Sequence, residues 1–346
     1  MLIRFVERFN ERHLLPCKPV KILIIQTAFI GDVILATPLI QEAHRCFPHA
    51  QLDVLVRKGN EGLLQNFIGI SSILIWNKQK NKQKNLWTLL FQIRKEKYDV
   101  VINIQRFAAT GILTGLSGAK DRIGFKKNPF SFLFTQKIEH DIAGETETHE
   151  TVRNLRLMKS LGANESVKPI LYPSASDYSS VQELKRKTYY CIAPTSVWFT
   201  KQVPAAKWIQ LISSLHDIDK EANIYLLGGP VDKNECLAIQ ELSKNENVKT
   251  LAGKLSFLQT AALMKDAKRN FVNDSAPMHI ASAMNAPVTA YYCSTVPAFG
   301  FGPLSDDKKI VEVLNLSCRP CGLHGHKACP EGHFKCAFDL NMAISR

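Results

Sequence analysis

Between Lys21 and Pro38 the chain reads KILIIQTAFIGDVILATP. A short apolar run, Ile22 to Ile25, has the length and composition of a buried parallel strand. A Gly-Asp pair follows, and then apolar residues at helical spacing. Strand, tight turn and helix start in this order predict an α/β fold that holds a ligand at the carboxyl end of a strand. Asp32 lies where the turn meets the helix. As a cap it would accept N–H bonds from the helix start and stay ionised. As a general base the same carboxylate would face a bound hydroxyl. Spacing leaves both roles open.

The pattern repeats along the chain. Gln51–Val56, Ile73–Trp76 and Val100–Ile104 read as further strands, with helices over Thr37–Cys46 and Leu86–Lys97. After a Pro- and Ser-bearing stretch the alternation restarts. Strands are predicted at Tyr189–Ala193, Asn223–Leu227, Asn270–Val272 and Val288–Tyr292. Helices are predicted at Ala205–Leu215, Asp232–Lys244, Phe257–Ala267 and Ala276–Met284. This predicts two doubly wound parallel-sheet domains, and 346 residues suffice to give each its own core. The expected division is an N-terminal extension over 1–17, a first domain over 18–165 and a linker over 166–187. A second domain over 188–315 and a Cys-rich tail over 316–346 complete it. The NKQKNKQKN stretch, Asn77–Asn85, reads as an exposed loop.

Three constellations carry chemistry. Gly31-Asp32 is the first. The second is PTSVWFTKQVPAAKW, Pro194 to Trp208, where Lys201 precedes a helix start; a diphosphate would suit it, with Thr195 and Ser196 as further donors. The ordinary alternative is a surface lysine. The third is NDSAPMH, Asn273 to His279, another strand running into a helix start. Its N–H groups, Ser275 and His279 could meet phosphate oxygens, or Asp274 and Ser275 could simply cap the helix. There is no Walker GK[ST] element, no G-x-G-x-x-G after a strand and no G-x-S-x-G, which argues against a P-loop NTPase, a dinucleotide oxidoreductase and an α/β-hydrolase.

In order and spacing, QTAFIGDVILATP, TKQVPAAKW and VNDSAPMHIASAMNAPVTAYYCSTVP resemble glycosyltransferase family 9, the ADP-heptose:lipopolysaccharide heptosyltransferases. His149 with Arg153-Asn154, Gln105, and Arg122-Ile123-Gly124 also match. The resemblance runs from about Lys18 to the C-terminus. It implies the GT-B fold, two Rossmann-like domains with an interdomain cleft, and an inverting transfer that requires no metal cofactor. It makes Asp32 the catalytic base. Lys201, Thr195, Ser196, Asp274, Ser275, Ala276 and His279 fall in its donor and diphosphate site. It implies ADP-heptose as donor and an anionic glycolipid acceptor, a lipopolysaccharide core sugar, facing Arg57, Lys58, Arg106 and Arg122. The net charge of +13 suits an anionic partner, and no motif points to nucleic acid. A related transferase acting on another acceptor, such as a protein, and a non-catalytic sugar-nucleotide binder are the alternative readings.

The tail, SCRPCGLHGHKACPEGHFKCAFDL, departs from the best-known members. Cys318, Cys321, Cys329 and Cys336 follow a C-x2-C-x7-C-x6-C spacing. Four thiols so close suit a structural Zn or Fe ion; packed reduced thiols and disulfides are the alternatives. The N-terminus lacks a secretory h-region and no apolar run reaches bilayer length, so the expected location is the cytoplasm. Leu2, Ile3, Phe5, Val6 and Phe9 alternate with Arg4, Glu7, Arg8 and Arg12. That pattern fits a basic amphipathic helix in peripheral contact with the inner membrane, or a helix packed on the protein.

Overall fold

A computed structural model describes residues 19–142 and 148–344. The expected N-terminal amphipathic helix lies outside the described residues. Among the described residues two compact units form. One holds the residues up to 142 with Glu150–Pro169; the other holds 148–149 with the residues from Ile170 onward.

The first unit runs β1 (Lys21–Ile25), α1 (Ile30–Cys46), β2 (Gln51–Arg57), β3 (Ser72–Trp76), α2 (Lys82–Glu96), β4 (Val100–Asn103), α3 (Ala108–Gly115), β5 (Asp121–Phe125), β6 (Gln136–Ile138) and α4 (Glu150–Leu155). Its six strands are all parallel, in the order β3-β2-β1-β4-β5-β6. Ile22, Leu23, Ile24 and Ile25 of β1 are fully buried. Such complete burial explains why the strand reads as an unbroken apolar run and does not alternate. The Asn77–Asn85 stretch departs from expectation, because helix α2 already begins at Lys82. Lysine and glutamine are good helix formers, and the repeated asparagines mask that preference.

Helix α1 continues through Pro38. Proline has no N–H for the carbonyl four residues back, that of Ile34. The Thr37 hydroxyl donates to the Ile34 carbonyl at 2.7 Å and fills the gap. The neighbouring Leu35 carbonyl accepts from Asn154 Nδ2 at 3.2 Å. Thr37-Pro38 and the Arg153-Asn154 element of α4 are thus two halves of one packing contact.

The second unit runs α5 (Ala175–Ser180), β7 (Tyr189–Ala193), α6 (Ala205–Ile218), β8 (Asn223–Leu226), α7 (Lys233–Ser243), β9 (Val248–Thr250), α8 (Phe257–Lys265), β10 (Arg269–Asn273), α9 (Ala276–Ala283), β11 (Val288–Tyr292), β12 (Lys308–Glu312) and α10 (Lys335–Phe338). Its parallel sheet has the order β12-β11-β10-β7-β8-β9. This is the first unit's order again, read from the other edge. In each, the chain starts mid-sheet, builds outward to one side and returns to build the other. The strand order reverses between β1 and β4 in one unit and between β7 and β10 in the other. Loops leaving the carboxyl ends of strands at such a point splay apart and leave room for a ligand.

Candidate active site

In the first unit the loops at the reversal point are Gln26–Phe29 after β1 and Ile104–Phe107 after β4. Buried polar side chains tie them together. The Thr27 hydroxyl donates to Gln105 Oε1 at 2.7 Å, and Gln105 Nε2 donates to Gln26 Oε1 at 2.8 Å. Lys78, just beyond β3, donates to the Thr27 carbonyl at 2.7 Å and to its hydroxyl at 2.9 Å. Burial, then Arg57 and Lys82, lowers the Lys78 ammonium to about 8. Asn60 Nδ2 holds the Ala28 carbonyl at 3.0 Å. The turn that delivers Asp32 is therefore rigid.

Asp32 occupies the first turn of α1 and is half-buried. Its Oδ2 accepts from the Phe29 N–H at 3.0 Å, so the capping role is present. The cap alone does not set the acidity of the group. Burial first, and the nearby Glu150 carboxylate second, push the Asp32 carboxyl up to about 6, against the Phe29 N–H and Arg57. Glu150 itself is an anion: burial would raise it, but His140 and Arg153, bonded at 3.0 and 2.9 Å, hold it below its usual range. A carboxylate near 6 is a far better proton acceptor than an ordinary aspartate and is still mostly ionised at neutral pH.

The expected acceptor residues divide. Arg57 ends β2, and its guanidinium lies 4.9 Å from the centre of the Phe29 ring beside Asp32. Lys58 is exposed just beyond it, and Arg106 is half-buried after β4. These three share the carboxyl edge of the sheet with Asp32. Arg122 does not. It lies near the amino end of β5, where its guanidinium donates to the Ala119 and Leu133 carbonyls. The motif was recognisable, but residue type alone does not tell which end of a strand a side chain occupies.

In the second unit β7, β10 and β11 are neighbours, and the loops after them carry Lys201, Asp274 and Thr295. Lys201 Nζ lies 2.6 Å from Asp274 Oδ2. The Thr295 hydroxyl donates to the same oxygen at 2.6 Å. Asn273 knits the loops together: its Nδ2 donates to the Pro194 carbonyl at 2.8 Å and its Oδ1 accepts from the Val203 N–H at 3.0 Å. Lys201 is thus a fixed cation and not a loose surface lysine. Thr195 is buried and Ser196 half-buried in the same loop. Helix α9 opens at Ala276 with Ser275 as its N-cap, yet the Ser275 side chain does not cap it, so the first-turn N–H groups are not engaged by that hydroxyl. His279 is buried, and burial lowers its imidazole to about 3. It is neutral at physiological pH and brings no formal charge to a phosphate. Sequence reasoning missed Thr295 and Lys78. The signal for Thr295 is its place directly after a strand of the resemblance; Lys78 was hidden in the low-complexity stretch.

The Cys-rich tail packs against the Lys201 loop. The His326 N–H donates to Thr200 Oγ1 at 2.7 Å, the Thr200 N–H to the His326 carbonyl at 3.1 Å, and the Cys321 N–H to the Ser294 carbonyl at 2.9 Å. Phe334 stacks on Phe199 with ring centres 5.2 Å apart. A Cβ on Gly325 would fall 2.4 Å from Trp198 Cβ and 2.9 Å from Lys201 Cγ, so only glycine allows this approach. The Arg319 guanidinium donates to the Cys293 and Thr295 carbonyls at 2.6 Å each and pairs with Glu312 at 2.5 Å, bracing the Thr295 loop. The four tail cysteines are free thiols. Burial, with the neighbouring thiols, raises Cys336 to about 12. A thiolate set suits Zn or Fe chemically. Among the described residues, however, no three His, Cys, Asp or Glu side chains converge as a metal site. Cys336 is packed into the second unit's core, and Cys321 Sγ turns to the Cys318 carbonyl at 3.2 Å. The neighbouring Cys318, Cys321 and Cys329 thiols all act on Cys336, and Cys318 Sγ lies 3.9 Å from His333 Nε2.

Comparison with known proteins bears on the family and the fold. The family model for glycosyltransferase family 9 (heptosyltransferase) matches residues 86–333. An Escherichia coli lipopolysaccharide heptosyltransferase 3 is 29% identical over 280 residues, covering 77% of this chain and 82% of that protein. A solved family 9 glycosyl transferase from Veillonella parvula superposes with a TM-score of 0.76 at 19% identity, covering 86% of each chain. The E. coli ADP-heptose lps heptosyltransferase II superposes with a TM-score of 0.74 at 19% identity, covering 91% of this chain and 97% of that one.

Proposed function

The chain belongs to glycosyltransferase family 9, and from that premise we propose that it is an inverting heptosyltransferase using ADP-heptose and a sugar hydroxyl of a lipopolysaccharide core. It acts at the cytoplasmic face of the inner membrane. Transferase activity and the heptosyl class follow from the family and its relatives. The donor, the acceptor and the stereochemistry are our reading.

The observation that carries the reading is the Lys201–Asp274–Thr295 group at the strand-order reversal, beside a helix start. A diphosphate leaving group gains negative charge as the glycosidic bond breaks. A fixed ammonium and N–H groups already aimed at one place stabilise that charge without reorganising. Asp274 and Thr295 hold the ammonium in register. In this reading no metal is needed for the transfer.

Asp32 supplies the other half. Its carboxylate takes the proton of the acceptor hydroxyl as that oxygen attacks the anomeric carbon from the face opposite the diphosphate, and the configuration inverts. Arg57, Lys58 and Arg106 at the same sheet edge suit an anionic acceptor sugar. The test is incubation of the chain with ADP-heptose and Kdo-lipid acceptors, with the product linkage read by NMR. Transfer with inversion supports the reading. Absence of transfer from ADP-heptose, with transfer from another nucleotide sugar, would replace the donor. Nucleotide-sugar binding with no transfer to any acceptor would favour a binding protein.

A further inference from the structure

Helix α2 buries Leu89, Leu90 and Ile93 against the first unit. Its other side carries Lys84, Trp87, Thr88, Phe91 and Lys95, at the three- and four-residue spacing of one helical face. Trp87 is 48% exposed and Phe91 68%. Residues 78–97 contain seven Lys or Arg and a single acid, Glu96. That acid is paired with Lys21 at 2.9 Å. Among the described residues, Lys80, Lys82, Lys84 and Lys95 have no carboxylate partner.

We propose that this face of α2, with the lysines leading into it, is a docking surface for an anionic lipid bilayer. Two exposed aromatics four residues apart, flanked by unpaired lysines, match the layering of a membrane interface: rings at the headgroup level, ammonium groups on the phosphates. A second copy of the chain fits poorly, because a twofold contact through this face would set lysines against lysines. The position has a functional meaning. The same lysine-rich segment begins with Lys78, which is anchored 2.7 Å from the Thr27 carbonyl in the turn that delivers Asp32. Docking there brings the carboxyl edge of the sheet to the surface from which a lipid-anchored sugar projects. This last step rests on the glycolipid reading above; the docking surface itself does not.

Flotation of the full chain with vesicles tests it. The wild type is expected to float with vesicles containing phosphatidylglycerol and not with pure phosphatidylcholine. The triple change Lys80→Gln, Lys82→Gln, Lys84→Gln should weaken binding by about a hundredfold, at roughly fivefold per lysine. The double change Trp87→Ser, Phe91→Ser should also weaken it measurably. Both variants should keep the wild-type melting temperature and the wild-type rate on a soluble, deacylated acceptor. Wild-type chain that ignores anionic vesicles, or variants that float as well as wild type, would overturn the proposal. So would variants that lose only a self-association or only affinity for a single-stranded oligonucleotide. Loss of transfer on the soluble acceptor with vesicle binding intact would instead strike the functional reading.

Discussion

Replacing Asp32 by Asn should inactivate the enzyme and stabilise it, with a pH dependence that separates this from any generic effect. Burial and Glu150 raise the Asp32 carboxyl from its ordinary 3.8 to about 6. At 1.36 kcal/mol per pH unit that rise is worth up to about 3 kcal/mol. The sign follows from proton linkage. Between about pH 4 and 6 the folded state holds a proton that the unfolded state has released, so stability falls as pH rises through this window. Above pH 6 the carboxylate is ionised in both states, and the whole penalty is present. Below pH 4 it is gone. Asn is neutral, and its carbonyl can still accept the Phe29 N–H. The variant should therefore gain stability of this order at pH 8 and almost none at pH 4, as read by urea unfolding at the two values. In the wild type, kcat/KM should fall on an acid limb near pH 6. At pH 5 about a tenth of the sites would be ionised, against more than nine-tenths for an aspartate at 3.8. A wild-type rate at pH 5 close to that at pH 7, an Asn variant destabilised at pH 8, or one with near-normal turnover would refute the reasoning.

Lys201→Ala removes the ammonium proposed to meet the phosphates and leaves Asp274 buried with Thr295 alone. ADP affinity by calorimetry should drop by roughly ten- to a hundredfold, the scale of one charge-assisted hydrogen bond; unchanged affinity would detach Lys201 from the donor. Gly325→Leu places carbon against Trp198 and the Lys201 stem, and should raise the KM for the donor several-fold through displaced Lys201 while leaving the acid limb of the pH profile unmoved. Zinc and iron measured per purified chain test the expected ion at Cys318, Cys321, Cys329 and Cys336, and a stoichiometry near zero would remove it. A stoichiometry near one would support four sulfurs holding one ion.

The doubly wound plan was legible because β1, β2, β4, β7 and β11 are buried and read as apolar runs. The strands that escaped notice, β6, β9 and β12, are short or partly exposed edge pieces reading QKI, VKT and KKIVE, and β5 opens with Asp121-Arg122. Strands so short, or so mixed in polarity, show too few residues for a period to be read. At the site, Asp32, Lys201 and Asp274 were legible from their places after strands. What joins them was not. Thr27 meets Gln105 across 78 residues, and Asp274 meets Thr295 through the order of strands in the sheet. The proton affinity of Asp32 was also out of reach, because it depends on burial and on a glutamate from another helix.

The contact between Gly325 and Lys201 has a consequence in time. The loop of Lys201 is complete only when a residue 124 positions later (325 − 201) has been made and folded back on it. At roughly 5–20 residues per second of synthesis, that delay is on the order of ten seconds. During that interval the growing chain already owns Asp32 and its rigid turn but lacks the wall that closes on the Lys201 stem. A chain still on the ribosome, or one cut short before the tail, should therefore present the Asp32 turn before the wall around Lys201 exists.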